Sequence, residues 1–292
     1  MRRRKPRFDD DEPPPAENRP PHVPYDYSDD DVPGGGDRWS TWDLSTAGER
    51  GPEPYPDWLV TELAAVDVER GVLKTGKEAD VHLLWRGVPG GERSCLLAAK
   101  RYRDARHRHF HRDGAYQEGR RVRRSREMRA MRTRTAFGRE LVAGQWAHAE
   151  FEALYVLRTL GASVPYPVQI VGTEVLLEFV GDPDGTAAPR LAEVRARGSE
   201  LAPLWSQLLE LLVLLARAGL AHGDLSAYNL LVTDRRLVMI DLPQVVDVIA
   251  NPQGPAFLDR DAANVATWFA ARGLPVDRQA LIDLLRAEAR LR

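Results

Sequence analysis

An aspartate, an asparagine five positions later and a second aspartate twelve positions beyond that carry the strongest chemical signal in the chain. They are Asp224, Asn229 and Asp241, set in His222-Gly223-Asp224-Leu225-Ser226-Ala227-Tyr228-Asn229 and Met239-Ile240-Asp241. Phosphoryl transfer requires a carboxylate that orients the attacking group and a metal site that bridges the nucleotide phosphates. Asp224 suits the first role. Asn229, reached through the intervening turn, can point to a magnesium ion, and Asp241 can supply a second, fully charged oxygen ligand. Each residue alone would be an ordinary cap; their joint spacing points to ATP and Mg2+ as cofactors.

Two further groups fit that chemistry. Thr75-Gly76-Lys77-Glu78 is a turn between strand-like runs, and its single glycine lets backbone amides of residues 76–79 approach phosphates. Taken alone, it is also a plain hairpin turn. Lys100 ends the apolar run Leu96-Leu97-Ala98-Ala99. Phosphoryl transfer needs a cation on the α- and β-phosphates and a helix carboxylate to hold that cation. Glu150 and Glu152, on different faces of one predicted helix, are the candidates.

These residues need a scaffold of strands first and helices later. Val72-Leu73-Lys74, residues 81–85 and residues 94–100 read as strands. Residues 137–160 have a helical period that stops at Gly161, and residues 168–171 and 175–180 read as a hairpin. Residues 204–218 are too apolar for a surface helix and predict a buried one. Short strands at 230–232 and 237–240 and helices near 261–272 and 278–290 follow. The order favours a two-lobed α+β arrangement over an alternating parallel sheet. No internal repeat is evident.

Of 292 residues, 43% are hydrophobic and 29% charged, enough for a globular core. A net charge of -2 argues against a generally polybasic nucleic-acid binder. One cysteine, Cys95, excludes an intramolecular disulfide framework, so a cytoplasmic, reducing location is expected. The apolar stretch 208–216, broken by Glu210, is too short for a membrane span, and no membrane association is expected. Residues 1–48, rich in Pro, Asp and Arg and poor in aliphatic side chains, predict a disordered tail. Residues 49–180 are then assigned to an N-lobe and 181–292 to a C-lobe. The basic residues are almost all arginine; the lysines are Lys5, Lys74, Lys77 and Lys100.

In its motifs the chain resembles the atypical serine/threonine protein kinases of the RIO group, in the prokaryotic-like branch without a winged-helix domain. Residues 222–229 match the family's His-Gly/Ala-Asp-Leu-Ser-x-Tyr/Phe-Asn, and Ile240-Asp241-Leu242-Pro243-Gln244 matches Ile-Asp-x-x-Gln. Lys74-Thr75-Gly76-Lys77-Glu78-Ala79-Asp80-Val81 matches the family's phosphate loop with Lys74 in place of its first Ser. The family's closing segment appears as Phe257-Leu258-Asp259-Arg260-Asp261-Ala262-Ala263-Asn264-Val265. The resemblance runs collinearly from about residue 58 to 271.

It implies a protein-kinase-like fold whose C-lobe lacks an activation segment, and an ATP-dependent protein kinase or ATPase tied to ribosome maturation. Thr75, Gly76, Lys77, Glu78, Ala79 and Val81 would bind ATP, together with Lys100. Trp146-Ala147-His148-Ala149-Glu150 resembles the family's Trp-Ala-x-x-Glu, which favours Glu150 over Glu152 as the partner of Lys100. Leu177, Glu178 and Val180 would meet the adenine, and Asp241 would be a phospho-acceptor as well as a metal ligand. The protein substrate is not identified by any residue pattern.

Departures from ordinary kinases sharpen these expectations. Leu242-Pro243 stands where Phe-Gly would be, Gly223 replaces the usual Arg, and 51 residues follow Asp241, with no activation segment among them. Two alternatives share parts of the pattern: a small-molecule phosphotransferase of the aminoglycoside or choline kinase type, and a nucleotide-binding pseudokinase scaffold. Residues 101–139 hold fourteen arginines against four acidic residues, a net +10. That stretch reads either as a solvated insert or as a phosphate-directed contact with ribosomal RNA, the pre-ribosome or an acidic assembly partner.

Overall fold

The structure is a computed structural model that describes residues 34–103, 136–234 and 236–291. Alternating apolar residues build a six-stranded antiparallel sheet in the order β1-β2-β3-β4-β6-β5. Its strands are β1 (Arg38–Trp39), β2 (Val66–Thr75), β3 (Ala79–Gly87), β4 (Ser94–Tyr102), β5 (Pro167–Val171) and β6 (Glu174–Glu178). Register places Lys100 opposite Val81 on one side and Val175 on the other, so it lies in the middle of the sheet. Helix α1 (Ala136–Thr159) covers one sheet face, burying Ala147, Phe151, Leu154 and Leu157 against Ile170, Val175 and Leu177. Its 3.6-residue period brings Glu150 to the same side as Ala147 and Leu154.

The second lobe is mainly helical. It contains α2 (Ala202–Arg217), α3 (Gly254–Ala271) and α4 (Arg278–Glu288), with β7 (Leu220–Ala221) paired to β10 (Val246–Asp247) and β8 (Leu230–Val232) to β9 (Leu237–Met239). The run Gly198–Arg217 is long and apolar enough by composition to cross a membrane, beyond the shorter stretch noted in the sequence. In the fold, Leu208, Leu211, Leu212, Leu215 and Ala216 of this run pack into the lobe's core. Asp277 caps α4 by accepting from the amides of Gln279 and Ala280. Helix α3 begins seven residues earlier than expected. Gly254-Pro255 opens it, because proline is tolerated in a first helical turn, where its missing N–H has no partner to lose.

The expected tail boundary at residue 48 is corrected. Residues 1–33 of that tail lie outside the described residues, but the chain from Arg38 onward is folded onto the sheet. Trp42, Leu59 and Val60 are buried against Leu84, Leu97, Val168 and Leu176 on the face opposite α1. This segment is fastened by polar and aromatic groups. Arg50 donates to the Trp42 carbonyl at 2.8 Å and stacks over its ring, Gln169 donates to Thr41 Oγ1 at 2.8 Å, and Tyr166 donates to the Pro52 carbonyl at 2.8 Å. Gly51 passes so close to β5 that a Cβ there would lie 1.9 Å from the Pro167 carbonyl oxygen. Beneath it, Arg86, fully buried, is held by Asp67 and Gln169.

Candidate active site

A cavity of about 930 Å3 opens between the lobes, large enough for a nucleotide. Strands β2 to β4 line one wall, helix α1 the back, and the loops around Asp224 and Asp241 the other wall.

Lys100 is the junction. Its Nζ donates to Glu150 Oε1 at 2.7 Å and to Asp241 Oδ1 at 2.8 Å. Glu150 is 1% exposed, while Glu152 is exposed on another face of α1, so the structure brings the former to Lys100. Burial works against the Lys100 charge, but the Glu150 and Asp241 carboxylates outweigh it and hold the ammonium well above its usual range. Lys100 in turn draws the Asp241 carboxyl down to about 2, against an opposing push from burial. Asp241 adopts a left-handed backbone, φ +66°, uncommon for a residue with a side chain.

Tyr102, which the sequence did not single out, donates from its hydroxyl to Glu150 Oε2 at 2.5 Å. Burial and then the Glu150 charge hold its phenol well above the usual range, so it remains a donor.

The Asp224 loop is shaped from below. Asp261 on α3 is 3% exposed and accepts from the amides of Gly223 at 2.7 Å and Leu225 at 2.9 Å, the two that flank Asp224. Burial raises the Asp261 carboxyl, with those amide bonds opposing. Arg260 donates to the Gly223 carbonyl and Asn264 to the Leu225 carbonyl. The Asp224 amide donates to His222 Nδ1 at 3.3 Å, which leaves Nε2–H to donate to the Ile240 carbonyl at 3.1 Å. His222 thus ties the Asp224 loop to the Asp241 loop. Gly223 has φ +85°, and a Cβ there would sit 2.2 Å from the Gln244 carbonyl oxygen. A larger residue at this position would separate the two loops. Residues 260, 261 and 264 stood in the closing segment, and their spacing of one and three on a helix was the available signal.

Most of the expected ATP-binding residues line the cavity: Gly76, Lys77, Glu78, Ala79, Val81, Lys100, Glu150, Leu177, Glu178 and Val180, with Asp224 and Asp241. Thr75 and Asn229 do not. The Thr75 hydroxyl bonds Asp80, whose carboxylate also accepts from Arg103. Asn229 Nδ2 donates to the Asp224 carbonyl at 2.9 Å, leaving its Oδ1 for a cation. The Glu178 carboxylate turns to the Tyr166 amide and Arg236. The Val180 carbonyl accepts from Ala188, so a base would have to take the Val180 N–H. Asn229 Oδ1 and the Asp241 carboxylate are hard oxygen donors, a set that suits Mg2+ completed by phosphates and water. Only residues 242–253 lie between Asp241 and α3, too few for an activation segment.

Of the arginine-rich stretch, residues 104–135 lie outside the described residues. Arg101 pairs with Glu69 and Glu174, and Arg103 with Asp80.

Comparison with known proteins agrees with this geometry. The model of the RIO domain family matches residues 97–281. The RIO-type serine/threonine-protein kinase Rio1 of Haloferax volcanii is 37% identical over 147 residues, 50% of this chain and 49% of that protein. The serine/threonine-protein kinase RIO1 of Chaetomium thermophilum is 36% identical over 138 residues, 44% of this chain and 26% of that protein. The chain therefore spans half or less of the curated relatives it matches. Among solved structures, the Rio2 kinase–ADP/Mg2+–phosphoaspartate complex of Chaetomium thermophilum superposes with a TM-score of 0.54 at 20% identity, covering 76% of this chain and 66% of that one. That likeness shows the shared two-lobed kinase fold.

Proposed function

This chain belongs to the RIO family, and from that premise we propose that it is a Mg-ATP-dependent serine/threonine protein kinase that also hydrolyses ATP. The observation that carries the reading is Lys100, bonded at once to Glu150 behind it and Asp241 across the cleft. In the nucleotide complex Lys100 would keep Glu150 and meet the α- and β-phosphates, releasing Asp241 to serve as a metal ligand. Asn229 and Asp241 would hold the magnesium ion, which neutralises phosphate charge. Asp224, fixed on both sides through Asp261, would orient the hydroxyl or water that attacks. Leu177 and the backbone of Glu178 and Val180 would receive the adenine.

Asp241 is also our candidate phospho-acceptor, supported by the phosphoaspartate in the related Rio2 complex. A contact with ribosomal RNA or the pre-ribosome through residues 101–139, and a role in ribosome maturation, extend the reading on the strength of that segment's net +10. RNA affinity that falls steeply with salt supports the contact; an unchanged salt slope after replacing the arginines of 120–134 by Ser contradicts it. A cytoplasmic location follows from the same reading.

The test uses ATP labelled on its terminal phosphate, with Mg2+. Released phosphate together with label on the chain or on a protein acceptor supports the proposal, and hydroxylamine-labile label identifies an acyl phosphate. Transfer only to an aminoglycoside or choline, or nucleotide binding without turnover, contradicts it.

A further inference from the structure

This chain makes almost all its positive charge from arginine, yet every lysine among the described residues lines the one cleft: Lys74, Lys77 and Lys100. Lys100 is neutralised by Glu150 and Asp241. Lys74 and Lys77, with Arg190 from the second lobe, form no ion pair among the described residues, although all three line the same cavity. Lys74 sits on β2 at the edge of the phosphate turn, opposite Val81 on β3. Arg190 stands on the opposite wall, anchored through its backbone bridge to Leu231 on β8 and its amide bond to Glu193. Desolvation in the cleft, and then repulsion by Arg190, push the Lys74 ammonium down from its usual range, with Asp241 and Glu78 opposing. Neither of these carboxylates forms an ion pair with it, and two such cations converging on one cleft favour a bound polyanion.

We propose that Lys74 and Arg190 clamp the terminal phosphate of the nucleoside triphosphate across the mouth of the cleft. The inference rests on the nucleotide reading above and adds two residues and a specificity to it. A compact ammonium with three donors and a forked guanidinium suit one phosphate approached from two sides. With the third phosphate present the two cations are bridged and the lobes are drawn together. When that phosphate has been transferred, their repulsion returns and favours release of the diphosphate.

Calorimetric titration of the full chain with Mg-ATP, Mg-ADP and inorganic tripolyphosphate tests this, using the unaltered protein, Lys74→Ser, Arg190→Gln and the charge-preserving Lys74→Arg. Each charge-removing variant should lose about tenfold in affinity for ATP and tripolyphosphate, as expected for one charge-assisted hydrogen bond, and keep ADP affinity within about twofold. Lys74→Arg should retain most of the preference for ATP. Unchanged ADP binding doubles as the check that a variant is folded. Equal losses for ATP and ADP, or no loss for either, overturn the clamp while the nucleotide reading stands. An unaltered protein that binds no adenine nucleotide overturns both.

Discussion

The hydroxyl of Tyr102 bonds one carboxylate oxygen of Glu150, and Lys100 bonds the other. The carboxylate is therefore fixed from two sides before any nucleotide arrives, and Lys100 also lies 5.3 Å from the Tyr102 ring centre. Tyr102→Phe keeps the ring and removes the bond, leaving a buried carboxylate oxygen short of a donor. The expected result is a stability loss of about 1–3 kcal/mol in urea unfolding, accompanied by about a tenfold fall in kcat with a smaller change in KM. Lost stability with normal kcat would reduce Tyr102 to packing.

The segment before residue 49 makes a second testable claim. Trp42 is 5% exposed and meets Tyr55 edge-on at 5.1 Å. Trp42→Ala should cost about 3 kcal/mol or more, the usual range for a buried tryptophan, measured by denaturant unfolding. A change below about 0.5 kcal/mol would show that this stretch is an appendage.

How much of this was legible in the sequence differs by region. Most strands and the long helix follow from hydrophobic period, and the choice of Glu150 for Lys100 came from the resemblance to the family's Trp-Ala-x-x-Glu, whereas the bond from Lys100 to Asp241 across the cleft was not anticipated. The ordered stretch from Arg38 was missed because it is fastened by Trp42, Arg50, Thr41 and backbone carbonyls, while the sequence criterion looked for aliphatic residues. Tyr102 was missed because it lies two residues after Lys100 and reads as an ordinary strand aromatic. The grip of Asp261 on the amides around Asp224 depends on a contact 36–38 residues apart, which local spacing does not display.

Asp241 gives a pH signature. Its carboxyl is drawn down to about 2, chiefly by Lys100, from an ordinary value of 3.8. A depressed folded-state pKa contributes stability that is fully present above the unfolded value and is lost as pH falls through the folded one. The stability difference between the unaltered protein and Asp241→Asn, without nucleotide, should be constant from pH 7 to about 5 and shrink from about pH 4 downward. A difference that instead changes between pH 5 and 7 would contradict the pairing with Lys100.

The division of labour between Asp224 and Asp241 is the core of the account, and ATP titration with and without Mg2+ measures it directly. Asp224→Asn should bind Mg-ATP within a few-fold of the unaltered protein while its turnover falls by at least about 100-fold, the scale of a lost general base. Asp241→Asn should lose the enhancement of ATP affinity by Mg2+, because an amide is a poorer ligand for a hard cation. The reverse pattern, with Asp224→Asn losing magnesium-dependent affinity and Asp241→Asn keeping it, would contradict the assignment.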